Sequence, residues 1–456
     1  GLRLFVMLAL SGFCLSILAH VLVKGLAGAI LIHAFAGVAT APFTTMSVYY
    51  LMASLPPATA FRGVILGLGL SQIPTYLARL FSPDLLAIEQ WRSLYLFELG
   101  LALLCLGAVA LLRLPPSQRS KAFEALDFVT FPLFAGGVAL LCAVLGIGRT
   151  DWWMDRAWLG WALAASIVML AAAFFIEWRR SNPLIELRWL TGADILRFAV
   201  VVFMSKIVLS EQTVSAIGLL STLGVDNDEL HLFSLILTLA AIAGAISAAL
   251  LFKPNRATEI GALAIVLVAI GAFLDSHATN LTRPEQLYAS QALIAFATTF
   301  FIGPAMLFGM SFVLKNQGRP LVSYLVLFVV LQTVGSLAGS ALLGTFQEVR
   351  EKAISAELTR LAPPDNPIVA ARLQVGAAAV GPVVDDPTLR AAEGVRVLQV
   401  QESREASVLA YNQTFTLVAV LAAATTVYLG SLLFWRWLRG ERPSNAAQPL
   451  RPRPAS

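Results

Sequence analysis

The stretch "MSKIVLSEQT", Met204 to Thr213, sets a lysine and a glutamate inside a run that is otherwise apolar, with "ILRFAVVVF" before it and "VSAIGLLSTLG" after it. An ammonium and a carboxylate can exchange protons, pair with each other, or hold a charged solute. From Arg197 to Lys206 is nine residues, about 13 Å at 1.5 Å per helical residue. Half of a bilayer core is roughly 15 Å, so Lys206 falls near mid-depth and Glu211 somewhat past it. A charge facing lipid there costs at least about 2.5–3.5 kcal/mol. The cheaper arrangement turns both groups to a watery cavity or to partners on other helices. Five residues of helix rotate the chain by about 500°, which points the two side chains about 140° apart. Partners along one helix sit three or four residues apart, so Lys206 and Glu211 are expected to find separate partners across the bundle. Ser205, Ser210, Gln212 and Thr213 make the middle of the run polar, as a segment lining a pathway would be. The competing reading is a hydrogen-bonded network that only fixes helix packing.

The elements that must position these residues follow from composition. The chain is 58% hydrophobic and 13% charged; a soluble domain carries about 25% charged residues, so this one cannot cover a water-facing surface of ordinary size. Crossing a bilayer takes roughly 20 apolar residues per helix. Twelve runs of that kind are expected, at 4–23, 26–52, 61–81, 92–113, 126–148, 158–178, 195–223, 232–252, 257–275, 287–314, 321–346 and 413–437. Helix is the state that bonds its own backbone within lipid, and the ten-residue alternation of a membrane barrel is not seen. The fold class is therefore all-α, a polytopic transmembrane helical bundle. Lys and Arg set orientation. With the C-terminus cytoplasmic, eighteen basic residues fall on that side, among them Arg62, Arg179, Arg180, Arg188, Lys253 and Lys315. Six fall opposite: Lys24, Arg79, Arg92, Arg149, Arg156 and Arg283.

Other polar residues sit within the runs. Glu98 in "LYLFELGLALL" is either a cavity-facing acid or a hydrogen-bonded structural one. His33 in "AILIHAFAGVATA" is either a packing residue or a titrating one. Arg79 reaches toward the outer interface, and Gln291, Gln332 and Tyr288 are placed to touch a ligand. Asp127, near a helix start, is accounted for by the helix dipole. Glycines and prolines in "GVILGLGLSQIP", "FIGPAMLFGM" and "TVGSLAGSALLG" permit close packing, sliding and bending. Cys14, Cys105 and Cys142 lie in apolar runs as small hydrophobes, and four scattered histidines give no metal-ligand spacing. No cofactor and no nucleic-acid partner is implied. No "GxxxxGK[ST]" loop occurs, so the sequence gives no sign of an ATP-driven pump within this chain.

Two segments lie outside the runs. Residues 179–194, "RRSNPLIELRWLTGAD", form a basic connector; residues 347–412 form a long outer loop. That loop reads as two amphipathic helices around a middle broken by "APPDNP" and "VGPVVDDP". The tail, 438–456, is Pro-rich and expected to be disordered. The chain opens at Gly1 directly on an apolar run with no signal-peptide pattern, which suggests a fragment lacking an upstream part.

Three stretches resemble the 14-helix drug:proton antiporter branch of the major facilitator superfamily. "WRSLYLFELGLALL" is similar to the family's "WR-[WG]-x-F-x-x-N-x-P-x-G"; "EALDFVTFPLFAGGVALLCAVLGIGRTDWW" with "WALAASIVMLAAAFFIEWRRSNPLIELRWL" is similar to its two inserted helices and "NPLIDLRLF" connector; "VLQVQESREASVLAYNQTF" is similar to the approach to its last helix. The resemblance implies that two upstream helices are missing. It divides the chain into an N-terminal bundle remainder of four helices (1–113), two linker helices (114–178), the connector (179–194), a C-terminal six-helix bundle (195–437) and the tail. It puts His33 where the family carries a proton-coupling Arg. The antiporter motif is reduced to Gly67, Gly69 and Pro74, and Asn412 or Gln413 replaces the usual Asp.

The resemblance implies a secondary active transporter, not an enzyme. It would exchange protons for small amphipathic or aromatic compounds by alternating access in the inner membrane, in some family members with a periplasmic adaptor and an outer-membrane channel. The proton-coupling candidates are Glu211, Lys206, His33 and Glu98. The substrate-cavity candidates are Gln212, Ser210, Gln291, Gln332 and Arg79. An importer or uniporter on the same fold is the alternative; a membrane-embedded enzyme or a scaffold is the alternative of a different class.

Overall fold

The computed structural model of the protein describes residues 2–23, 25–85, 91–111, 124–361, 363 and 366–438. Most of the tail and the linker at 112–123 lie outside the described residues. The first helices are α1 (Leu2–Leu22), α2 (Leu26–Ala53), α3 (Ala60–Leu70), α4 (Pro74–Leu85) and α5 (Trp91–Leu111). Then come α6 (Asp127–Ile147), α7 (Ala157–Arg179) and the single turn α8 (Leu187–Leu190). The remainder is α9 (Ala193–Leu209), α10 (Ile217–Thr222), α11 (His231–Leu251), α12 (Ala257–Asp275), α13 (Pro284–Lys315), α14 (Leu321–Leu361), α15 (Pro367–Ala379) and α16 (Pro387–Leu438).

Ten of these helices are long and apolar enough to cross a membrane, and α3 with α4 makes one more span bent by 42°. The seventh expected run appears as α9, a short break at Ser210, a π-turn over Gln212–Ala216, and α10. With that composite helix, each of the twelve expected runs holds a helix among the described residues. The chain is an all-α, multi-pass helical bundle. Large apolar side chains such as Leu104, Trp161 and Val168 stand exposed on its flanks, the surface that acyl chains cover.

Sequence explains the irregularities. Pro74 has no amide hydrogen to continue α3's ladder, so the chain bends at residues 71–73. At the end of α9 the Ser210 amide is shared between the carbonyls of Lys206 and Ile207, at 3.1 and 3.3 Å. The hydroxyls of Ser210 and Thr213 donate to the carbonyls of Ile207 and Ser210. Such local bonds compete with the regular ladder, and the π-turn follows directly.

Glycine sets which helices come close. A Cβ on Gly67 would lie 2.9 Å from the Val48 backbone, one on Gly69 2.6 Å from Ala245, and one on Gly303 2.7 Å from Ile65 Cα. So α3 is clasped by α2, α11 and α13 together. A buried core of Ile65, Ala248, Ile294, Phe301 and Val418 fills the space between α3, α11, α12, α13 and α16.

Helices α6 and α7 pack on each other, and α6 packs on α14. The guanidinium of Arg180 donates to Glu124, Asp127 and Glu177, at 2.8, 2.7 and 2.8 Å. Burial disfavours its charge, but the three carboxylates outweigh this and hold it protonated beyond its ordinary range. Asp127 is thus tied into an ion cluster, a stronger reason for its place than the helix dipole alone. Glu177 also accepts from the Ile185 amide at 3.2 Å, and the Glu186 amide donates to Ser323 at 2.7 Å, which staples the connector to α14.

The 347–412 segment differs from its expected form. Its first and last parts are not separate helices: α14 and α16 run on out of their apolar stretches without a break. The breaks fall where proline predicts, since Pro367 and Pro387 open α15 and α16. The projecting helices are joined by polar contacts, Ser407 to Glu351 at 2.6 Å and Thr359 to Glu402 among them.

Gly303→Val places a branched side chain against the Ile65 backbone and is expected to cost about 1–3 kcal/mol. The midpoint of thermal unfolding in detergent should fall. Gly107→Ala, where an added Cβ meets open space, should leave the midpoint unchanged or raise it.

Candidate functional site

The seventh run carries its two ionisable groups inward, as the cost of facing lipid requires. Glu211 is 0% exposed and Lys206 6%. They do not pair with each other, in keeping with their angular separation. Lys206 sits against α14, where a Cβ on Gly335 would lie 2.9 Å from its own Cβ. Gly339, one turn on, accepts the Ile207 backbone just as closely, with a virtual Cβ 2.8 Å from Ile207 Cα. This Gly-x-x-x-Gly stripe lets α14 reach α9 exactly at the level of the lysine's turn. The Lys206 ammonium extends to Gln72 Oε1 at 3.5 Å, in the break between α3 and α4.

Glu211 opens the π-turn. Its carboxylate accepts from Gln291 Nε2, at 3.1 Å to Oε1 and 3.5 Å to Oε2. The same nitrogen donates to Asp275 Oδ2 at 2.7 Å, and Ser290 Oγ donates to Asp275 Oδ1. Next along the chain, Gln212 donates from Nε2 to the Gln291 carbonyl at 2.9 Å. It accepts from the Tyr76 hydroxyl at 2.6 Å. The π-turn makes these adjacent contacts possible: its wider spacing lets Glu211 and Gln212 both address α13. Widened turns of this sort gather at functional positions in helices.

Two side chains from the α3–α4 region, Gln72 and Tyr76, therefore meet two from the seventh run, Lys206 and Gln212. They form a polar latch between the bent α3–α4 pair and the seventh run. Behind it lie the carboxylates of Glu211 and Asp275, held by Gln291.

The structure brings together Glu211, Gln212 and Gln291 among the expected residues, with Lys206 and Ser210 a turn away on the same segment. Ser210 is buried, and its hydroxyl is spent on the Ile207 carbonyl. Gln332 lies one turn before Gly335 on α14, and its Nε2 is enclosed without a partner. The other three lie elsewhere. His33 is exposed and bonds to His20 and the Ala29 carbonyl, each at 2.9 Å. Glu98 on α5 and Arg79 on α4 are half-buried. Asp275 and Tyr76 are members that sequence reasoning missed. Asp275 stands at the edge of its apolar run, where an acid looks like an ordinary boundary residue.

The expected solvated passage beside Lys206 and Glu211 is closed in this arrangement, because Glu211 is fully enclosed. A cavity of about 360 Å³ lies instead between α6, α7, the connector and α14, lined by Phe128, Phe131, Phe174, Ile185, Val322 and Val326 among others. None of the candidate residues lines it.

No protein-family model and no curated protein matches the chain. Among solved structures it is similar to a bacterial homologue of the human lysosomal transporter Spinster, crystallised in an inward-facing and unoccupied conformation. The identity is 12% and the TM-score 0.35, over 91% of this chain and 84% of that one.

Tyr76→Phe removes one neutral hydrogen bond from the latch, worth about 1 kcal/mol, which is about fivefold in an equilibrium. Spin labels at Ala78 and Ser221, both exposed, should report a longer-distance population in the variant that grows by about that factor. An unchanged distance distribution would show that the latch does not hold the two parts together.

Proposed function

We propose that the chain is a secondary active transporter on a major-facilitator-type scaffold, coupling proton movement to export of small amphipathic or aromatic compounds. The observation that carries the reading is Glu211: a fully buried carboxylate at a π-turn, on a segment latched to the bent helix pair. A group so enclosed gains or loses a proton only when the surrounding helices part. Proton binding and opening are therefore linked, which is what alternating access needs.

In the closed arrangement Gln291 satisfies Glu211 from α13 and the latch holds α4. Release of a proton here leaves Glu211 and Asp275 both charged across Gln291, and their repulsion weakens the tie between the seventh run and α13. Loosening there frees Gln212, which in turn loosens Tyr76. Lys206 acts through Gln72 at the helix bend and not as the partner of Glu211. A coupling free energy of about 1–3 kcal/mol between proton and substrate sites is enough to drive such a change. The opened latch would present Gln212, Ser210, Gln291 and Gln332 to a solute, with Arg79 near its edge. His33 and Glu98, on the first helices, would serve in proton transfer away from this cluster.

On this reading the C-terminus is cytoplasmic in an inner membrane, following the distribution of basic residues, and the projecting α14–α16 unit faces outward. That unit is where an adaptor protein would dock.

Glu211→Gln keeps the size and hydrogen-bonding capacity of the side chain but cannot titrate. In proteoliposomes, ethidium-driven proton flux should be lost in this variant while ethidium counterflow persists. Proton flux equal to that of the unaltered protein would defeat the reading.

A further inference from the structure

Asp275 is 2% exposed, Gln291 and Glu211 are both 0% exposed, and they come from α12, α13 and the seventh run. One amide nitrogen serves both acids. With both hydrogens of Gln291 Nε2 directed at carboxylates, its carbonyl oxygen Oε1 is left buried without a partner. The hydroxyl of Ser215, also fully buried, is likewise unpartnered. Buried polar atoms are rarely left so, and the one on Gln291, whose nitrogen bridges the two acids, marks a place where a hydrogen is needed.

The charges nearby do not supply a counter-ion. Among the described residues, no ion pair includes Glu211 or Asp275. Lys206, on the same run, extends to Gln72. From α4 comes Tyr76, whose hydroxyl is given to Gln212. From α16 comes Tyr411, packed on Gly218, and α14 presents Gly335 and Gly339. Asp275 is also the last residue of α12, where the negative end of the helix dipole opposes an anion. Two carboxylates sharing a site without a cation do not both stay ionised.

We propose that Asp275 and Glu211 form a single proton-binding site bridged by Gln291, in which the pair retains one proton while the latch is closed. Water delivers that proton to one carboxylate as the helices part, and the same carboxylate returns it to water. The ligand is a proton and not a metal cation, because the amide nitrogen occupies the space between the carboxylates where a cation would need oxygen. Asp275 is thus a positioning partner that sets how readily Glu211 takes up its proton. The inference rests on the reading of Glu211 as proton carrier and adds the group that tunes it.

The test uses the full chain in lipid nanodiscs and infrared difference spectra across a pH series. The unaltered protein should show a protonated-carboxyl band that titrates as one proton. In Asp275→Asn the remaining Glu211 band should titrate at least about one pH unit lower, a tenfold fall in proton affinity, because the competing charge is gone. Ser290→Ala keeps both acids and removes one donor to Asp275, so the midpoint should rise; a merely structural role would not move it. Midpoints unchanged in both variants would overturn the shared site. So would a band in the unaltered protein that disappears on adding sodium but not potassium at fixed pH, which would make the pair a sodium site. Loss of ethidium-driven proton flux in Glu211→Gln with unmoved midpoints would leave the transporter reading standing and remove only the shared site.

Discussion

The arrangement depends on keeping a carboxylate inside a helical bundle. An enclosed acid is costly unless hydrogen-bonded, and Glu211 meets that cost through one amide, that of Gln291. The amide is in place because α13 packs between α11 and α12 and because the π-turn aims two successive side chains at it. The turn in turn follows from Ser210 and Thr213 drawing on the local backbone. A short polar stretch thereby determines how the seventh run meets its neighbours.

Glycine carries the second half of the design. Gly335 and Gly339 bring α14 against the turn that holds Lys206, and Gly67, Gly69 and Gly303 bring α3 against three helices at once. Polar contacts as modest as Lys206 to Gln72 are possible only because the backbones are this near. Small residues and buried polar groups work together here, and neither pattern alone would place the latch.

Much of the fold was legible because the bilayer imposes it. A run of apolar residues long enough to cross must be helical, and each expected run holds a helix among the described residues. Proline located the bend at Pro74 and the helix starts at Pro367 and Pro387. Less legible was where helices end in water: hydropathy drops at about residue 346, but helical periodicity continues, so α14 and α16 extend beyond the boundary that composition suggests. The site was partly legible. Glu211, Gln212 and Gln291 stood out as polar residues in apolar surroundings. Asp275 did not, since an acid at the end of a run has no unusual neighbours in sequence. Nor could sequence show that Lys206 reaches a glutamine 134 positions away, because that depends on how the bent pair packs. His33 stood out as a polar residue in an apolar run and at a position the resemblance marked, but its surroundings, His20 and the Ala29 carbonyl, separate it from the buried acids.

The unbroken course of α14 and α16 has a mechanical consequence. Each helix joins an intramembrane segment to a projecting one with no hinge between them. The projecting portion of α16, some 26 residues before residue 413, is about 39 Å long at 1.5 Å per residue. A tilt of about 10° within the bilayer would swing its far tip by about 7 Å on that geometry. The two rods act as lever arms, so a rearrangement too small to notice among buried side chains becomes a visible displacement outside the membrane.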